Sequence, residues 1–566
     1  MQSALQPERM VPVPVGTPIR WSASANGSGP AALSYRFRVR EAGGDFTVVR
    51  DYGADPVLNW APSEREGAYE MEVTVRDAAT GAVSQSSTYF DVTSRAAAGE
   101  PVVVGTENPL VYLYSAPPCT VGQRIRVEFT APDGAASRTT LKNCAAGRST
   151  NFYLAGLYAQ TKYAARHLIY GGSKVITGPE VSFQTDAIPE SKLKQTVLIP
   201  ARPGASDGIL INSSSSMGTI ATDLSGRVLW SSEPGLVSNI TRHEDGFFWG
   251  YKQNNAAGPE AQLIRKFDLT GKVLLESNAA RVNEQLRALE KREIGGFHHE
   301  VAPLPGGRIL ALAGVEQILT DVQGPGPVNV LGDMIIVFDQ DLNVIWTWDA
   351  FDHLDVTRKA VLGETCRSAG ACPPLTLAKE ANDWTHGNSV TLTPDGNLLF
   401  SIRHQDWVVK IAYENGGGDG HVIWRLGKDG DFRFPDSDVY PWFSHQHDAN
   451  FSPSNPTQLL IFDNGNTRIA KNGPGNSRGQ VLQLDERNMT VEFVLNADLG
   501  VYSTAVGSAQ ILRNGNYHFN AGYVPEGTVP TSHAIELDSS GRILYDAVSN
   551  SILYRTFRRV DMYSPD

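Results

Sequence analysis

The chain has 566 residues, 41% hydrophobic and 19% charged, with a formal net charge of −12. That length exceeds one ordinary core, so several domains are expected, and the composition is that of a folded chain. With no Lys/Arg block and no apolar run long enough to span a bilayer, nucleic acid, acidic membrane surfaces and a membrane span are all disfavoured. An anionic small molecule stays admissible, because a local cationic pocket can bind one on an acidic protein.

The opening MQSALQPERM lacks the basic-then-apolar pattern of a signal peptide, which leaves export undecided. Residues 10–94 alternate apolar and polar in short runs: RWSASA, SYRFRVRE, FTVVRDY, AYEMEVTVRD and QSSTYFDVT. Turn residues punctuate them and no helical period appears, so residues 1–94 are predicted to form an antiparallel β-sandwich. A spacer, SRAAAGEP, follows. VYLYSA, RIRVEFTA, TNFYLAGL, ARHLIYG and EVSFQT repeat the style, which predicts a second immunoglobulin- or fibronectin-like sandwich over 95–189. His167, alone on a strand, reads as structural. The four cysteines form two local pairs, Cys119 with Cys144 and Cys366 with Cys372 around the loop CRSAGAC. Their spacing fits no zinc ribbon, and two disulfides made in an oxidising compartment are expected; four free or buried thiols are the alternative.

From about 190 a new rhythm repeats. Late strands follow D-x-x-G-x-[VI]-x-[WL]-like patterns: TDLSGRVLWSS, FDLTGKVLLES, FDQDLNVIWTW, NGGGDGHVIWRL, LDERNMTVEFV and LDSSGRILYDA. Early strands include LPGGRILAL, TPDGNLLFSI and LRNGNYHFNAG. Six units of four short strands predict an all-β fold in which a six-bladed β-propeller occupies residues 190–566. SILYRTFRRV is expected to help close the ring, and NEQLRALEKREI (283–294) to form a helix inserted between blades.

Aligned on their turns, HHEVAPLPGG, HGNSVTLTPDG and HQHDANFSPSN put His299, Asn388 and His447 in one equivalent position, with His386 and His445 two residues earlier. Residues i and i+2 of a strand share a face, so His299, His386 and His447 are expected to converge and His298 to point away. Arg403, in SIRHQ, follows His386 across a turn. HHE and HQHD would suit a metal. A guanidinium beside them suits an oxyanion better, so no metal is assigned. There is no G-x-S-x-G elbow and no phosphate-binding G-x-x-x-x-G-K-[ST] loop.

FHHE (297–300), DWTHGNS (383–389), SIRHQ (401–405), QHDA (446–449) and IFDNGNTR (461–468) resemble, in this order, the motifs of bacterial arylsulfate sulfotransferases. Those are PAPS-independent enzymes with a six-bladed propeller behind an N-terminal β-sandwich. The resemblance implies that His447 is the nucleophile carrying the sulfuryl group as a sulfohistidine, with His386, Arg403 and His299 around it. It implies an aryl sulfate donor, a phenolic acceptor, ping-pong kinetics, no cofactor, and a periplasmic or secreted setting. Trp407, Trp442, Phe443 and Tyr502 are candidate walls for the phenyl ring, and His445 and Asn388 candidate substrate neighbours. Three features depart from the family pattern. Asp448 stands where the family often has Thr, the Cys-x5-Cys loop precedes D-W-x-H where the family has such a loop after S-x-R-H-Q, and there are two sandwiches. A metal-dependent propeller hydrolase or lyase and a non-catalytic binding propeller are the alternative readings. A homodimer through the sandwiches is left open.

Overall fold

The computed structural model describes residues 1–564 except 10, 30, 31, 97, 98, 191, 368–371, 436–439 and 526. Parts of the SRAAAGEP spacer and of the CRSAGAC loop therefore lie outside the described residues. The chain is all-β. Residues 3–93 make two facing sheets, Ser3–Pro7/Ile19–Ala25/Val57–Trp60 and Val13–Pro14/Val83–Thr93/Gly67–Asp77/Leu33–Glu41/Thr47–Gly53. The alternation read from IRWSASA is real: Ile19, Trp21 and Ala23 point into a core with Phe37, Met71 and Phe90. A second pair of sheets is built on Tyr112–Ala116 and on Arg124–Thr130 with Lys162–Gly171. Cys119 and Cys144 are joined there across a Cα separation of 5.4 Å, and Cys366 is joined to Cys372 across 5.9 Å. His167 is buried, with Nδ1 2.8 Å from the Tyr114 hydroxyl.

The remainder contains six antiparallel sets of four strands, one of them extended by a fifth strand and one by two short strands, Thr365–Arg367 and Glu380–Asp383. Their first strands are β1 (Asn239–Glu244), β2 (Ile294–Leu304), β3 (Gly387–Leu392), β4 (His447–Ser452), β5 (Ser508–Ile511) and β6 (Arg555–Arg559). Each of these contacts the next in order. β6 reaches β1 through Arg555 and Arg559, which donate to the carbonyls of Thr241 (3.1 Å) and His243 (2.8 Å). The sheets bury both faces, so a strand such as Leu398–Ile402 is enclosed along its length and reads as an unbroken apolar run. One core lies between each successive pair, for example Leu312, Trp348 and Phe400 between the β2 and β3 sheets.

The repeated late-strand motif has a physical cause. Asp223, Asp268, Asp339 and Asp538 each accept backbone N–H bonds from residues two and four further on, which folds the turn into the outermost strand. The two ends of this region are stitched together. β6 pairs with Ile209–Ser214, and Gln195–Ile199 pairs with the outer strand Ile543–Ser549.

The inserted helix covers Ala279–Ala288, not 283–294. The Asn278 side chain caps it, accepting from Arg281 N at 2.9 Å, and the Lys-Arg-Glu segment that looked helical leads into β2 instead. The first sandwich docks at this point. Asn278 Nδ2 donates to Tyr52 O (2.7 Å) and Lys272 Nζ to Ala61 O and Ser63 Oγ (both 2.7 Å). No helix among the described residues is long and apolar enough to cross a membrane.

Candidate active site

β1, β2, β3 and β4 each contain a register shift, at Ile240/Arg242, Phe297/Val301, Gly387/Ser389 and His447/Asn450. His299, His386, His445 and Asp448 have left-handed φ of 57°, 51°, 51° and 53°. Such residues are costly, and they gather where a side chain must be re-aimed. The period-two parity used to assign faces from sequence fails here, because a bulge resets it. At Gly387 a Cβ would lie 2.2 Å from the Phe400 ring, so only glycine fits beside His386.

These bulges gather four histidines. The ring centroids of His299 and His386 are 5.1 Å apart, those of His386 and His404 4.5 Å, and those of His404 and His445 5.6 Å. His447 is close enough that its charge bears on His299, as do those of His298 and His386. Arg403 lies within the same group: its Nη1 meets His404 Nε2, Nη2 donates to Thr504 O (3.2 Å), and Nε has no acceptor.

His447 is buried on β4. Its Nδ1 is 2.6 Å from Asn464 Oδ1. The Asn464 amide cannot be reversed, because its Nδ2 already donates to Ser503 O (2.9 Å) and Val506 O (3.1 Å). Oδ1 is acceptor-only, so His447 carries its proton on Nδ1 and a lone pair on Nε2. Nε2 makes no hydrogen bond among the described residues. Burial and the Arg403 charge hold His447 well below its ordinary pKa, against the opposing Asn464 bond. The ring is therefore neutral and nucleophilic at neutral pH.

His386 is partly exposed and has its Nδ1 2.7 Å from Asp383 Oδ2, which fixes the other nitrogen as the one free to act. His404 donates from Nδ1 to Asp383 O (2.7 Å), so its Nε2 is the acceptor facing Arg403. Burial first, and then neighbouring positive groups, push His299 and His404 well below the usual imidazole value, with Arg555 acting on His299 and Arg403 on His404. With Arg403 and the donors around it, the cluster makes an electropositive pocket suited to an oxyanion.

Sequence reasoning missed the floor of this site. Arg555, fully buried on β6, donates from Nη2 to Glu300 Oε2 (2.9 Å) and Asn388 O (3.0 Å), and lies 3.6 Å from Asp448 Oδ1. Tyr554 Oη donates to His299 O (2.6 Å). The signal was present as three arginines in the enclosed strand RTFRR. Asp448 also accepts from Ala509 N (3.1 Å), so its charge is spent on Arg555 and the backbone.

Several expected substrate contacts are differently placed. Phe443 is fully enclosed in the core between the β3 and β4 sheets, and Trp407 donates to Lys428 O (2.8 Å) beneath the Arg358 guanidinium. Both are packing residues: Phe443 is enclosed just ahead of β4, and Trp407 opens the Trp407–Ile411 strand, which is buried along its length. His445 is also enclosed, with Nδ1 2.8 Å from Asp406 Oδ1 and Nε2 against Glu364 Oε1. It buttresses the cluster and does not line it. Asn388 is buried and donates to Gln446 O (2.7 Å). Trp442 is partly exposed and packs on Phe434 at 4.7 Å. Tyr502 is partly exposed and close enough to Arg403 to feel its charge.

Glu364, His404 and His445, and likewise Asp383, His386 and His404, present donor atoms within 4.8 Å of one another. His404 belongs to both sets and has Arg403 on its Nε2, and a permanent cation at that atom opposes a metal ion there. A cavity of about 690 Å³ lies elsewhere, between the two sandwiches and the β1 sheet; no histidine lines it, and the chemistry of the histidine cluster outweighs its size.

The arylsulfotransferase (ASST) family model matches residues 193–554, which include every residue of this cluster except Arg555. The chain belongs to the arylsulfotransferase family. As a member it is a sulfotransferase enzyme, and its substrates are small molecules. No curated protein matches the chain. Among solved structures it is similar to a two fibronectin type-III domain segment of chicken tenascin, at 13% identity over 32% of this chain and 97% of that one, with a TM-score of 0.14. It is also similar to the chicken CNTN1 FN1–FN3 domains, at 10% identity over 32% of this chain and 67% of that one, again with a TM-score of 0.14. Scores so low carry no inference about the fold.

Proposed function

We propose that this arylsulfotransferase moves a sulfuryl group from an aryl sulfate ester to a phenol through a covalent sulfohistidine at His447, without PAPS. The observation that carries the reading is the Asn464 clamp, which leaves His447 neutral with its lone pair on Nε2. In the first half-reaction Nε2 attacks sulfur, the S–O bond to the aryl oxygen breaks, and the aryl oxygen leaves as phenolate. In the second, the acceptor oxygen attacks sulfur, the N–S bond breaks, and the phenol proton passes to the free nitrogen of His386 or His299, from which it goes to the released phenolate or to water. Arg403 holds the sulfuryl oxygens as charge gathers on them. Tyr502 and Trp442 are the aromatic side chains left to receive the aryl ring.

The six sheets are read as the blades of a propeller, residues 190–566, closed by β6 and by the 195–199 strand, behind sandwiches at 1–94 and 95–189. The two disulfides support a periplasmic or secreted setting. Incubation with 4-nitrophenyl sulfate alone should release one equivalent of 4-nitrophenolate in a burst and leave SO₃ on the His447 peptide; adding a phenol should restore turnover. Absence of transfer over a broad panel of donors and acceptors, or a label on another residue, would end this reading.

A further inference from the structure

Behind His299 lies a chain of buried polar groups that the transfer mechanism has not yet used. Asp333, on the Pro327–Phe338 strand of the β2 sheet, is buried. Its Oδ1 is 3.0 Å from His298 Nε2, an ion-pair approach made off the N–H axis. Its Oδ2 accepts from Thr385 Oγ1 (2.5 Å) and Gly387 N (2.6 Å), the two residues that flank His386. His298, equally buried, places Nδ1 2.8 Å from Nδ1 of His299.

The proton positions follow from donor and acceptor counting. Burial raises the Asp333 pKa, but the His298, Thr385 and Gly387 donors together bring it below the usual carboxylate value. An ionised carboxylate only accepts, so His298 turns a protonated Nε2 towards it. Where the single ring proton of His298 is held at Nε2 by Asp333, its Nδ1 accepts, so His299 donates from its own Nδ1. That leaves a lone pair on His299 Nε2. His299 has no carboxylate in direct contact, and burial first and then the nearby Arg555 charge hold its pKa low, whereas His386 has Asp383 Oδ2 2.7 Å from its Nδ1.

We propose that Asp333 is a positioning residue acting through His298, and that the Asp333–His298–His299 relay makes His299 Nε2 the group that exchanges the phenol proton. The inference rests on the sulfohistidine reading above. When the acceptor O–S bond forms and the His447 N–S bond breaks, the phenol proton moves to His299 Nε2. The imidazolium so formed donates from Nδ1 to His298, whose far edge faces Asp333, much as a buried aspartate supports a catalytic histidine. The proton passes to the next leaving phenolate or to water.

Asp333→Asn tests this. Asn Oδ1 can still accept from Thr385 and Gly387, so its Nδ2 faces His298 Nε2. His298 must then accept there and donate from Nδ1, which moves the His299 proton to Nε2 and removes the base. With phenols of pKa near ~10, turnover should fall about 10²-fold. With nitrophenols already ionised at the assay pH it should fall less than about threefold, and the 4-nitrophenolate burst should persist. An equal loss for all acceptors would overturn the proposal. Loss of the burst in the wild-type protein would instead overturn the sulfohistidine reading. If the variant does not fold, ¹⁵N-histidine NMR of the wild type decides, with His299→Asn for assignment: Nδ1 protonated and Nε2 bare supports the relay, and Nε2 protonated refutes it.

Discussion

Acidification should unfold this protein at a pH where its carboxylates are still ionised. His243, His404, His447 and His518 are all at most 2% exposed, and burial, the first cause in each, lowers their folded pKa; His518 falls to about 3. In the unfolded chain each returns to about 6.5. The unfolded state therefore binds more protons below that value, and stability is lost as pH falls from about 6.5 towards the folded pKa. Each buried ring costs up to about 1.4 kcal/mol per pH unit, so four cost roughly 5 kcal/mol per unit below pH ~6. The direct assay is proton uptake when the native protein is unfolded by guanidinium in weakly buffered solution at pH ~5.5, where at least about four protons are expected, with His299, also held low by burial, adding to them. His243→Phe sharpens it. The His243 ring is fully buried, stacks on Phe248 at 4.6 Å and makes no side-chain hydrogen bond among the described residues, so the variant should take up about one proton fewer and resist acid better. Uptake of less than one proton, or an unfolding midpoint that does not move between pH 7 and 5, would refute the reasoning.

Other expectations concern the site itself. His447→Asn should abolish both the phenolate burst and turnover while leaving the thermal midpoint near that of wild type. Asn464→Leu frees the His447 tautomer and removes a bond that becomes charge-assisted as the ring is sulfurylated; loss of about 1.5–2 kcal/mol predicts a decrease in kcat/KM of roughly 10- to 30-fold by steady-state assay. Arg555→Met leaves buried Asp448 without its cation and Glu300 with only the longer Arg242 contact (3.4 Å), so denaturant titration should show destabilisation of about 3–5 kcal/mol.

Much of the scaffold was legible in the sequence because its turns are local. The aspartates at 223, 268, 339 and 538 write each late strand into four or five consecutive residues. The disulfide partners were legible because each pair is close in the chain. The cluster was legible in its membership more than in its geometry. His299, His386 and His447 were found by repeat position and by motif. Which way each points is decided by bulges, and a bulge leaves no mark in an apolar/polar pattern. Tyr554, Arg555 and Asp333 could not be tied to the histidines from sequence, since nothing local couples residue 333 to 298 or 555 to 300 and 448. Phe443 and Trp407 looked available for a ligand because aromatic residues fit equally well in a strand buried on both faces.

The placement of Arg555 on the last strand has a consequence for how the enzyme comes into being. All four proposed catalytic side chains precede it in the chain, yet Asp448 meets its cation, and Glu300 gains a second one beside Arg242, only when β6 slots beside the 209–214 strand. The strand that joins the two ends of the ring therefore also carries the cation that sits between Glu300 and Asp448.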